Sequence, residues 1–66
     1  MNGNLLKYHA AESSKSTQDM ASALGVSKRC VEKKIKGETD FKCREIKQLV
    51  ELLGLTPEDT MRVFFS

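Results

Sequence analysis

No apolar run in this 66-residue chain approaches the roughly 20 residues needed to span a bilayer, so no transmembrane helix is expected. The first residues, MNGNLLKYHAAESS, lack a basic stretch followed by a long apolar core. They are not read as a secretory signal, and the protein is expected in the cytosol. Only two cysteines occur, Cys30 and Cys43, too few for a disulfide framework. A reducing cytosol leaves both as thiols, read as small helical residues. His9 is the only histidine, and two cysteines with twelve residues between them and one distant histidine match no common zinc spacing. Neither a metal nor a cofactor is therefore expected. Strand-like alternation is also missing, which removes the β classes and leaves an all-α chain.

Shortness excludes more. A chain of about 60 residues buries only about 60% of the surface it exposes unfolded, so there is one domain with a small core. A deep cleft with its own supporting shell does not fit. Catalysis needs a positioned base, nucleophile or metal. His9 has no evident partner in the sequence, and the cysteines lack an activating neighbourhood beyond the basic charge around Cys30. The composition predicts a binding module, not an enzyme.

What is present is helical spacing and one concentration of charge. A first helix is expected from Asn4 to Glu12, with Leu5, Leu6, His9 and Ala10 towards one side. ESSKST reads as a loop. Ser16 is the predicted N-cap of a second helix from Thr17, Asp19 meets the positive end of its dipole, and Gly25 ends it. Met20, Ala21 and Leu24 share its buried face. Ser27 is the next N-cap, for a helix from Lys28 to Lys36 closed by Gly37, with Val31 and Ile35 inward. Ile46, Leu49, Val50 and Leu53 mark a fourth helix at i, i+3, i+4 and i+7, ended by Gly54. Phe41 is expected to pack against its start. Thr56, Pro57, Glu58 and Asp59 open a fifth.

Residues 28 to 36 carry five basic residues and one acidic one, a net +4, while the whole chain carries +2. A lysine-rich helix face is most often only a solvated face. Its position changes the reading. Two short helices joined by Gly25-Val26-Ser27, with small Ala21 at their approach, form a helix-turn-helix pattern. The second helix of such a unit lies in the DNA major groove. With Val31 and Ile35 inward, Lys28, Arg29, Glu32, Lys33 and Lys36 face outward. Lysines there displace counterions from phosphates. Lys28 and Arg29 are placed to meet guanine edges, and Glu32 to accept from a cytosine amino group.

On Ala21, Leu24-Gly25-Val26-Ser27, Val31, Ile35 and Gly37, then Ile46, Leu49, Leu53-Gly54-Leu55 and Thr56, the chain resembles the lambda-repressor-like helix-turn-helix family. The resemblance covers nearly the whole chain. Gly37 to Phe41, Glu45-Ile46 and the Phe64-Phe65 ending look like small Cro-like regulators of Gram-positive phages and prophages. The resemblance implies a compact bundle of five short helices in which the second and third read DNA. It places Lys28, Arg29, Glu32 and Lys33 at base-facing positions, and Thr17 and Lys36 at the phosphates. Gln18 and Ser27 complete the set expected at the DNA backbone. Thr17 departs from the family, which often has glutamine there; Gln18 comes one place late. Lys42 replaces the usual polar cap of the fourth helix, so a frayed start is expected.

The resulting expectation is a sequence-specific transcriptional regulator, a Cro-like repressor that occupies a double-stranded, palindromic operator in the bacterial host cytoplasm. No membrane partner is expected. Helix-turn-helix repressors bind half-sites roughly 34–36 Å apart as symmetric pairs. Met61, Val63, Phe64 and Phe65 are the expected contact of a weak homodimer favoured on DNA, with folding back onto the core the competing fate for Met61 and Phe64. An antitoxin or mobile-element regulator with the same domain remains open, as does a protein-interaction module that has lost DNA binding.

Overall fold

In the computed structural model, which describes residues 1–65, five helices pack into a body of 27 × 23 × 20 Å. They are α1 (Gly3–Glu12), α2 (Thr17–Leu24), α3 (Lys28–Lys36), α4 (Cys43–Leu53) and α5 (Pro57–Phe64). No strand occurs among the described residues. Helix α2 packs on α3 and α4, while α1 packs on α3 and α5.

Local chemistry sets most boundaries. Ser16 and Asp19 form a reciprocal capping box: the Asp19 N–H donates to Ser16 Oγ at 3.1 Å, and the Ser16 N–H donates to Asp19 Oδ2 at 2.8 Å. The Ser16 N–H and the Ser16 hydroxyl, which donates to Asp19 Oδ2 at 3.1 Å, hold the Asp19 carboxyl below its ordinary pKa. At the other end of α2, Gly25 has φ +71°, which a side chain with a Cβ adopts only at a cost. The Gly25 and Val26 N–H groups donate to Ser22 O (3.3 Å) and Ala21 O (3.0 Å), a Schellman ending. Gly37 ends α3 the same way, through Gly37 to Lys34 O (3.1 Å) and Glu38 to Lys33 O (3.0 Å).

Helix α1 begins one residue earlier than its periodicity suggests. Asn2 Oδ1 accepts from the Leu5 N–H at 3.0 Å, and the Asn2 N–H donates to Val63 O at 2.7 Å, tying the first helix to the last. Gly3 then lies against α3: a Cβ there would stand 2.3 Å from the Ile35 carbonyl oxygen. His9 Nε2 lies 3.9 Å from Asp59 Oδ1, a partner on α5 that its sequence neighbours do not reveal.

The start of α4 corrects an expectation. Lys42 supplies no side-chain acceptor, yet the end is capped, because Glu45 Oε1 accepts from the Lys42 N–H at 2.8 Å. The third helical residue does what the N-cap side chain cannot.

Leu6, Met20, Val31, Leu49 and Val63 are completely enclosed, with Ala10, Ala21, Leu24, Ile35, Leu53, Leu55 and Phe64 around them. Phe41 joins this cluster edge-on to Phe64, with ring centroids 5.8 Å apart. Two residues expected at a dimer contact are therefore core residues. Val63 and Phe64 lie on the inner side of α5, where Phe64 meets Phe41. Met61 and Phe65 remain outside, 58% and 60% exposed.

Candidate nucleic-acid interface

Helix α3 is built as a two-sided rod. Ser27 caps it, its Oγ accepting from the Cys30 N–H at 3.1 Å. Val31 and Ile35, one turn apart, are buried against α1 and α2 and fix its rotation about its own axis. That rotation turns Lys28, Arg29, Glu32, Lys33 and Lys36 to solvent, and all five are exposed.

None of these five forms an ion pair within 4 Å among the described residues. Glu32 lies one turn from both Lys28 and Lys36 and is held by neither. The four cations thus present a net +3 with Glu32 on one exposed face. An α-helix carries partial negative charge at its C-terminus. Lys33 and Lys36 in the last turn offset it locally.

Lys34 behaves differently from the rest of the run. It is 7% exposed. Its Nζ stands 3.2 Å from Glu45 Oε1, donates to the Asp40 carbonyl oxygen at 3.0 Å, and lies over the Phe41 ring, 5.8 Å from the centroid. Burial pushes the Glu45 carboxyl up. The Lys42 N–H and the Lys34 ammonium outweigh it and hold the group below its ordinary value. One of the five cations of residues 28 to 36 is thereby spent inside the fold, fastening α3, the 37–42 loop and the start of α4 together. Periodicity does not reveal this: at about 100° per residue, positions 32 and 34 each point about 80° from the mean direction of Val31 and Ile35, yet Glu32 is exposed and Lys34 buried.

Three of the four residues expected at the DNA backbone lie at helix starts. Thr17 is half-buried at the first position of α2; Gln18 is exposed, its Nε2 donating to Ser22 Oγ at 3.4 Å. Ser27 is exposed, with its hydroxyl engaged as the cap of α3. Lys36 stands at the opposite end of that helix. The start of α3 directly follows the chain's reversal at residues 25–27.

Among the described residues, no three of His, Cys, Asp and Glu come together as a metal-holding group. No described helix is long and apolar enough to cross a membrane. Cys30 is half-buried on α3 and Cys43 exposed at the first position of α4, both free. Comparison with protein-family models, curated proteins and solved structures gives no match.

Proposed function

We propose that the protein is a sequence-specific DNA-binding transcriptional regulator, a Cro-like repressor of a phage or prophage. In this reading α3 enters the major groove of a palindromic operator. The observation that supports it most is the unpaired basic face of α3, carrying Lys28, Arg29, Lys33 and Lys36 on the second helix of a capped helix–turn–helix. A helix fits the major groove, and unpaired cations along it meet the phosphates that line both edges. Lys28, Arg29, Glu32 and Lys33 are the base-facing set. Thr17, Gln18, Ser27 and Lys36 hold the backbone.

The reading divides labour along one helix. Side chains in the first turns meet base edges, where Arg29 offers two parallel donors to guanine. Lys36, in the last turn, acts as a point charge on phosphate. Two copies bind the two half-sites, with a contact between them too weak to hold without DNA at low concentration. Occupancy of the operator then blocks polymerase.

A pool of random-sequence duplexes tests this. Rounds of selection on the immobilised protein are expected to enrich one motif with two-fold symmetry. A pool that stays random after binding at moderate salt would overturn the sequence-specific reading and favour an interaction module whose basic face serves another partner.

A further inference from the structure

Between α4 and α5 an open groove is floored by Ile46, Val50 and Leu55 and bounded by Met61. Ile46 and Val50 are only partly buried, and Met61 is among the most exposed large apolar residues of the chain. Lys47 and Glu51 form the outer rim on α4, one turn apart.

These two rim charges are opposite in sign, exposed and one helical turn apart, yet they do not pair with each other or with any described residue. The order along the chain helps explain this: lysine before glutamate is the weaker arrangement at i, i+4. On α5 the favourable order, Glu58 before Arg62, does pair. So α4 presents an unused positive and an unused negative charge beside an uncovered apolar strip.

That pattern is self-complementary. Turn a second copy about a two-fold axis passing between positions 47 and 51. The two α4 helices then run antiparallel, and Lys47 of each copy meets Glu51 of the other. A two-fold contact uses the same patch on both molecules, so both pairs form at once. We propose that this groove takes a second copy of the chain. Ile46, Val50 and Met61 supply the apolar contact, and the Lys47–Glu51 pairs set its register. Exposed pairs contribute more to register than to strength, so the association is weak and concentration-dependent.

This contact is separate from the DNA-facing side of α3, and its test uses no DNA, so its failure leaves the DNA-binding reading untouched. Sedimentation of the whole protein over a range of concentrations is expected to show mass rising from one chain towards two. Lys47→Glu alone and Glu51→Lys alone each place like charges opposite one another, and each should weaken association by about tenfold. Mixed in equal amounts, the two variants are expected to associate again. Across the two-fold axis, both acidic positions of the first variant then face both basic positions of the second. Positions 47 and 51 are on the surface, so circular dichroism should match the parent for each variant. Single chains at every concentration, association that survives both single reversals, or a mixture no tighter than its components would each overturn the proposal.

Discussion

Lys33 and Lys34 are neighbours with the same charge on the same helix, and they occupy opposite environments. Lys33 stands in solvent with no ion-pair partner, while Lys34 is enclosed between Glu45, the Asp40 carbonyl and the Phe41 ring. One step of about 100° separates them. The difference teaches that a run of like charge is not a functional unit. Helical rotation divides it into a side that can meet a ligand and a side that must be neutralised inside. The two groups of lysines should therefore respond to mutation in opposite ways.

The largest expected effect comes from breaking the buried pair. Lys34→Ala or Glu45→Ala leaves one charge enclosed without its partner, which costs about 3–5 kcal/mol. Small domains have only about 5–15 kcal/mol in total, so urea denaturation should show either variant largely unfolded or close to it. Replacing both together, Lys34→Met with Glu45→Gln, should restore much of the loss. The apolar stem of methionine fills the site, and the amide oxygen of glutamine still accepts from the Lys42 N–H. Lys33→Ala, by contrast, should change stability by no more than about 0.5 kcal/mol. An equal loss from Lys33→Ala and Lys34→Ala would erase the distinction.

Binding to DNA should reverse that ranking. Arg29→Ala is expected to cost about 1–3 kcal/mol of operator affinity and to relax preference at one base position, with stability nearly unchanged. Competition between operator variants reads this directly. If the loss is the same at every base, Arg29 touches phosphate and not a base edge.

Acid sharpens the comparison from the other side. Against the upward push of burial, the Lys42 N–H and the Lys34 ammonium hold the Glu45 carboxyl below its ordinary value. A depressed pKa stabilises the fold fully above the unfolded value, about 4.3 for a glutamate. The contribution is lost as pH falls through the lower folded value. Urea midpoints taken from neutral pH down to acid should therefore fall below about pH 5. In Glu45→Gln that fall should be shallower. It should not vanish, because Asp19 is depressed in the same direction by its bonds to Ser16.

The smallest effect belongs to Lys36. Its replacement by alanine should weaken binding to all duplexes about equally and reduce the salt slope by about 1. A change in base preference would move Lys36 from the backbone set to the reading set.

Much of the fold is legible in the sequence because its signals are local. Ser16, Ser27 and Thr56 each place a hydroxyl where the third following N–H needs an acceptor, and Gly25, Gly37 and Gly54 close helices with a positive φ. Helices α2, α3 and α5 begin where those hydroxyls place them. The rest depends on contacts between distant residues. Sequence order does not show that Glu45 reaches both Lys42 and Lys34. Without that contact α4 reads as frayed at its start, and Lys34 reads as one more surface cation. The apolar residues of α5 and Phe65, which follows it, likewise look alike in sequence. Packing separates Val63 and Phe64, which are buried, from Met61 and Phe65, which are not. Val31 and Ile35 alone place Arg29, Lys33 and Lys36 on the far side of α3, whereas Lys28, in the first turn, projects about 20° from Ile35 and is exposed all the same.

The central claim is that the exposed side of α3 recognises particular DNA. Its most direct test measures binding of the purified protein to the DNA upstream of its own gene and to an unrelated duplex of equal length, at several salt concentrations. The account predicts tight, salt-dependent binding to the upstream fragment, with the unrelated duplex much weaker throughout. Equal, weak binding to both would contradict it and reduce the α3 face to a basic surface.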